Sequence, residues 1–233
     1  MNASVSHYPN RSVDEILVMP SHERELEHWL RWLTQQPPGG QVRKLGEAIC
    51  YVGQLGSPDD LTAICGSGLT ALPPEALSTG ISHAAARGEL NLVKLFIEKE
   101  KIFPESKVNV SSVLVAAASG GHPDVVMFLL GKNDSCANSA CTEAFQRALE
   151  NSMLYDHDKT RDFSETFKCL LPHANVDAAI ASALTHHHVS WPPGLDKVVN
   201  DLSLESLEAL CTRALGAPDS AWDRLKALRE EKL

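Results

Sequence analysis

The sequence predicts an all-α protein in which helix pairs are stacked as degenerate repeats. A pattern that begins at Thr79 returns 33 residues later at Ser112, and a fixed period of about this length is typical of repeat architectures. Each copy contains apolar residues at i, i+3 and i+4, which form one buried stripe on a helix. A single pair of short helices cannot bury its own apolar face, so several pairs are expected to stack.

The two clearest copies share a short Ala-rich helix, a glycine turn and a longer aliphatic helix. In the first copy the alanines are Ala84 and Ala85, and the turn is at Gly88. Small side chains let the first helix approach its neighbours, and glycine suits a turn whose backbone a side chain would oppose. The second copy also begins its longer helix with a proline and an aspartate, which favour a helix N-terminus. Its corresponding residues are Ala117, Ala118, Gly121, Pro123 and Asp124.

Weaker copies flank this pair and give a stack of four to five units. Upstream, residues 45–53 and 56–65 form one such unit. Downstream, a fourth unit pairs residues 143–149 with 167–171 around an inserted polar loop at 150–163. The remaining predicted helices are a fifth pair at 177–184 and 195–202, joined by the loop at 191–194, and capping helices at 21–35, 204–215 and 220–228.

The predicted domain organisation follows from these repeats. An N-terminal segment with a capping helix covers residues 1–44, the repeats cover 45–202, and C-terminal capping helices cover 203–233. Hydrophobic residues make up 43% of the chain but aromatic residues only 6%, so the core is expected to be aliphatic.

The repeat resembles the ankyrin repeat at its threonine, alanine pair, glycine and paired aliphatic residues. The first copy departs from that family's pattern at the proline, which is Gly80 here, and at the histidine, which is Ser82. The resemblance implies an ankyrin-like helical solenoid that binds other proteins on its concave face. The positions that match in the first copy are Thr79, Ile81, Ala84, Ala85, Gly88, Leu92, Val93, Phe96 and Ile97; those in the second are Leu114, Ala117, Ala118, Gly121, His122, Val125, Val126, Leu129 and Leu130.

The same resemblance implies where a partner would bind. In ankyrin proteins the contacts come from hairpin tips and from two variable positions between the alanine pair and the glycine. One further aromatic residue, in the loop before Pro192, is a candidate because tryptophan is a frequent anchor at interfaces. The candidate partner-binding residues are Gln54, Leu55, Glu75, Ala76, Ser78, Ala86, Arg87, Ser119, Gly120 and Trp191.

The charge and the cysteines narrow the class of protein. The chain has 21 basic and 30 acidic residues, a net charge of −9, which disfavours nucleic acid and anionic membranes as partners. It has no run of 18 apolar residues and no basic-then-apolar N-terminal layout, so no transmembrane helix and no secretory signal are expected. Six scattered cysteines indicate reduced thiols and therefore a cytoplasmic location. That location includes the cytoplasm of a host cell into which the protein could be delivered.

Side chains that could bind a metal or perform catalysis occur in clusters but without a recognisable arrangement. Three consecutive histidines on a helix point in different directions, whereas zinc needs converging ligands. No nucleophile elbow and no phosphate-binding glycine loop are present. The clusters are the histidines at 186–188, the pair Cys136 and Cys141 with His122 or His173, and the run at 156–158.

The sequence therefore predicts a non-enzymatic module that binds a partner protein, with no catalytic residue, metal or cofactor assigned. A bacterial effector acting on a host protein and an inhibitor of a toxin both fit this class. The alternative is an enzyme or metal-binding protein that uses the histidine and cysteine clusters.

Overall fold

The structure is a computed structural model that describes residues 22–69, 71–103, 105–132, 137–154, 163–186, 195–214 and 219–233. These residues form thirteen α-helices and one short 3₁₀ turn, and they contain no strand. The all-α prediction is confirmed for this part of the chain. The helices are α1 (His22–Leu33), α2 (Pro38–Leu55), α3 (Pro58–Gly66), α4 (Ala76–Ala86), α5 (Leu90–Lys99), α6 (Val110–Gly120), α7 (Pro123–Lys132), α8 (Asn138–Leu154), α9 (Phe163–Leu170), α10 (Val176–His186), α11 (Leu195–Asp201), α12 (Leu204–Arg213) and α13 (Asp219–Glu230).

Helix α2 begins earlier than the sequence predicts. From the sequence alone, the two prolines and two glycines at residues 37–40 predict the end of α1 but not the start of α2. Proline is also favoured in the first turn of a helix, where its missing N–H would have no intrahelical partner, and Pro38 opens α2 in this way. The predicted boundary between residues 44 and 45 therefore falls inside a continuous helix.

Helix α8 continues into the segment that the sequence predicts to be a loop. The expectation that the loop begins at residue 150 is wrong, because Glu150 accepts hydrogen bonds from Gln146 and Arg147 over 2.9 and 3.0 Å. Such i, i+4 and i, i+3 pairs support a helical turn. Ser152 is buried, and its hydroxyl donates to the carbonyl of Leu149. Residues 155–162 lie outside the described residues.

The chain forms two compact units, one up to Asn109 and one from Val110. In the first unit α2 packs on α4, while α3 packs on both α1 and α5. In the second unit α6, α8, α10 and α12 pack in succession, and α7 packs on α9. Within each unit, the first helices of consecutive pairs thus contact one another, and second helices do so where α3 meets α5 and α7 meets α9.

The core contains the predicted aliphatic residues and more aromatic residues than expected. The alanine pairs of both copies are fully buried, as are Leu92 and Val125 on the longer helices. Five aromatic side chains are also fully buried: Trp29, Phe96, Phe103, Phe145 and Phe167. Although aromatic residues are few in this sequence, these five side chains form part of the core.

The glycine turns between paired helices are confirmed in the two clearest copies. Gly88 has a φ of 78° and Gly121 a φ of 71°, values in the left-handed region that favours glycine. The aligned Gly56 differs, with a φ of −84°. There, helix α3 is started instead by Ser57, whose side chain accepts from the backbone N–H of Asp60 in a capping box.

Candidate functional site

Helices α2 and α4 run in the same direction and touch through their backbones. A Cβ atom placed on Gly53 would lie 2.0 Å from the carbonyl oxygen of Gly80. A Cβ atom on Gly80 would lie 2.7 Å from the carbonyl oxygen of Ile49. No side chain larger than hydrogen fits at either position, so the two glycines bring these helices closer than other residues would allow.

An open groove of about 400 Å³ lies between the same two helices. The residues that α2 contributes recur at i, i+3, i+4, i+7, i+8 and i+11, so they share one helix face. The other wall is the start of α4 and the segment just before it. The lining residues are Arg43, Gly46, Glu47, Cys50, Tyr51, Gln54, Pro73, Glu75, Ala76 and Thr79.

Cys50 lies half-buried in the groove. Its sulfur is 3.9 Å from the carbonyl oxygen of Ala76, to which the thiol donates. Burial raises the pKa of the Cys50 thiol, and the nearby carboxylates of Glu75 and Glu47 raise it further. The thiol is therefore kept neutral, whereas a nucleophilic cysteine needs a lowered pKa.

The charged groups that line the groove differ in how they are paired. Glu47 accepts from Lys44 at 2.9 Å, and its other oxygen is 3.8 Å from the guanidinium of Arg43. Arg43 is 76% exposed. Glu75 is exposed, and its carboxylate forms no ion pair with any residue that the structure describes.

Beyond the groove, polar side chains join the ends of α2 and α4. The Nε2 atoms of Gln54 and His83 are 3.1 Å apart. Nη1 of Arg87 donates to the carbonyl oxygens of Gly53 and Gly56, at 3.2 and 3.5 Å. This end of the helix pair is thus closed by hydrogen bonds between the two helices and the turns that follow them.

The structure brings three of the predicted partner-binding residues to the groove. Gln54 and Glu75 are exposed there, whereas Ala76 is only 4% exposed and packs beneath the surface. Leu55 ends α2 with 52% of its surface exposed. These residues surround the same feature, although the resemblance placed them on hairpin tips and on a turn.

The predicted hairpin tips are not present in the described residues. Ala76 and Ser78 belong to α4. The hydroxyl of Ser78 donates to the carbonyl of Lys107 over 2.7 Å and accepts from the N–H of Asn109 over 3.0 Å. Ser78 therefore anchors the segment after α5 and has little capacity left for a partner.

The other candidates do not line the groove. Ala86 is half-buried, and the guanidinium of Arg87 is engaged as described above. In the second unit Gly120 is buried, and the carbonyl of Ser119 accepts from Nδ2 of Asn151 over 2.9 Å. Buried positions such as Ala76 and Gly120 are packing residues rather than contact residues. Trp191 lies outside the described residues.

The structure describes only part of the clusters weighed for metal binding or catalysis. Among the described residues, no group of three or more histidine, cysteine, aspartate or glutamate side chains could hold a metal ion. Cys141 is buried in α8 and His173 is exposed after α9. The residues of these clusters that lie outside the described part are Cys136, residues 156–158, His187 and His188.

The sequence analysis missed most of the groove lining, including Arg43, Glu47, Cys50 and Tyr51. The available signal was their helical spacing on α2, which becomes visible once the helix is extended back to Pro38. No described helix has the length and apolar character needed to cross a membrane. No protein-family model, no curated protein and no solved structure matches the chain.

Proposed function

We propose that the chain is a non-enzymatic module that binds another protein through the groove between α2 and α4. The groove itself carries this proposal. It is open, it is shared by equivalent helices of two consecutive pairs, and its walls combine an aromatic ring, Tyr51, with exposed polar groups such as Gln54 and Glu75. Protein interfaces are enriched in tyrosine and usually carry polar groups around the buried contact.

We propose that the helix pairs are ankyrin-like repeats of a solenoid. The support is the packing within each unit, where equivalent helices contact one another, together with the left-handed glycines Gly88 and Gly121 at equivalent positions. In solenoids of this type the neighbouring repeats provide the burial that one helix pair lacks. Adjacent first helices then form a continuous surface for a partner.

A reducing, cytoplasmic compartment is part of the proposal. Cys50, Cys65 and Cys211 are free thiols, a state that reducing compartments maintain. An effector and a toxin inhibitor would both act through the binding of a protein and so fall within this proposal.

Site-specific photo-crosslinking tests the binding surface. A photoreactive phenylalanine analogue is placed at Gln54 or at Glu75, on the groove, and at Glu98, an exposed residue of α5 that does not line it. We expect a protein adduct from the two groove positions that disappears when the groove is filled by Thr79→Trp. Equal adducts from Glu98, or adducts that persist in the filled variant, would contradict the proposal.

A further inference from the structure

We infer that the partner presents a lysine or arginine side chain to Glu75, on an amphipathic segment whose apolar side covers Cys50 and Tyr51. This inference rests on the proposed function, since it names the chemistry of the partner at the same groove. It rests on the charged residues that line the groove and on the apolar groups among the other lining residues.

The charges favour a basic partner. Two carboxylates, Glu47 and Glu75, line the groove, against a single cation, Arg43. Glu47 is already paired with Lys44, whereas Glu75 forms no ion pair within the part of the chain that the structure describes. An exposed carboxylate at the edge of a groove can accept charge-assisted hydrogen bonds from ammonium or guanidinium donors. The net charge of −9 adds long-range attraction for a basic segment and repulsion of an acidic one.

The uncharged part of the groove lining favours an apolar side chain of the partner beside that cation. The groove lining also includes the neutral thiol of Cys50, the ring of Pro73 and the backbone of Gly46, where a Cβ atom would be 2.7 Å from the proline ring. The half-buried side chain of Tyr51 lines the same groove. A partner that buries apolar side chains here and places one cation at the edge satisfies both features, which describes an amphipathic segment.

A displayed peptide library provides the probe. Randomised 16-residue peptides are selected on the full chain and depleted on the filled variant Thr79→Trp, or on Gln54→Trp if the first variant fails to fold. We expect lysine or arginine to be enriched at one fixed position of the selected peptides. Synthetic copies of the selected peptides should slow the alkylation of Cys50 by iodoacetamide. Such protection would show that the peptides bind in the groove.

The matched variants test the charge itself. Glu75→Gln should lower the affinity for the selected peptides at least about 10-fold, equivalent to about 1.4 kcal/mol. This loss of affinity should become smaller as the salt concentration is raised. The control Glu98→Gln removes an equally exposed carboxylate away from the groove and should change affinity less than twofold. Arg43→Gln should strengthen binding, because it removes the only cation among the lining residues that the structure describes.

The outcomes separate this inference from the proposed function. Peptides that protect Cys50 but show no basic enrichment, or that bind Glu75→Gln undiminished, would overturn the inference and leave the groove as a binding surface. Selected peptides that leave Cys50 as reactive as it is in the free protein would contradict the proposed function. A library that yields no peptide specific for the wild-type groove would count against both.

Discussion

The guanidinium of Arg87 donates a hydrogen bond to the carbonyl oxygen of Gly53, 3.2 Å away in the preceding helix pair. The same group reaches Gly56 and forms an ion pair with Glu89 at 3.1 Å. The last carbonyls of a helix have no intrahelical partner, so a cation at the end of α2 satisfies them and interacts favourably with the helix dipole. Arg87 therefore joins two consecutive helix pairs, whereas the sequence alone predicts a cation available to a partner.

Replacement of Arg87 is expected to destabilise the protein. Arg87→Ala should lower the free energy of unfolding by about 1 kcal/mol, because the carbonyl oxygens at the end of α2 lose a charged donor. Glu89→Gln removes only the exposed ion pair and should change stability by less than about 0.5 kcal/mol. Urea unfolding of the two variants measures the difference. Equal stabilities would show that Arg87 makes no useful bond to α2.

The contact between Gly53 and Gly80 predicts a large effect from a single methyl group. Gly53→Ala should destabilise the protein by about 1–3 kcal/mol or more, because its Cβ would overlap the carbonyl oxygen of Gly80 and force the helices apart. Gly39 lies in the same helix, and a Cβ atom added there would have no neighbouring atom within 4 Å. Gly39→Ala should therefore leave stability unchanged or raise it by up to about 1 kcal/mol. Thermal unfolding distinguishes the two; similar melting temperatures would contradict the close backbone contact.

The left-handed turns predict matching losses at two places in the chain. Gly88→Ala and Gly121→Ala should each cost about 1–2 kcal/mol, because a Cβ atom opposes a positive φ. The two losses should be alike if the turns are equivalent parts of one repeat. Denaturant unfolding of each variant tests this, and a neutral substitution at either site would show that its turn relaxes to another conformation.

The Cys50 thiol should become more reactive when a neighbouring charge is removed. The carboxylate of Glu75 raises the pKa of Cys50, so Glu75→Gln should lower that pKa and increase the thiolate fraction at a fixed pH. Alkylation by iodoacetamide, followed peptide by peptide with mass spectrometry, should therefore be faster at Cys50. The rate at Cys65, whose pKa is raised mainly by burial, should not change. An unchanged rate at Cys50 would mean that Glu75 does not face the thiol.

The helix pairs could be predicted because their signals are local. The alanine pair at Ala84 and Ala85, the glycine turn at Gly88 and the apolar spacing of α5 all lie within a few residues of one another, and periodicity reports such short-range structure well. The helix ends are less predictable, as at Pro38, because proline and glycine both end one helix and begin the next.

The groove could not be predicted because it depends on contacts between distant residues. Gly53 and Gly80 each look like a mild weakness in a helix, and only their juxtaposition shows that neither position has room for a side chain. The carbonyl oxygens of Gly53 and Gly56 that accept from Arg87 lie more than 30 residues earlier in the chain, so no local pattern reveals these two bonds.

The backbone contact also fixes how α2 can change in length. One added residue turns the rest of an α-helix by about 100°. An insertion between Cys50 and Gly53 would therefore have one of two results. If the contact between Gly53 and Gly80 held, the groove residues earlier in α2 would rotate away from α4. If those residues kept their places, the glycine contact would be broken. Residues added just after α3, before Pro73, alter neither relationship, because Pro73 and Glu75 then keep their places beside α4. Related chains that keep this groove should vary in length just after α3 and hold constant both the spacing within α2 and the segment from Pro73 to α4.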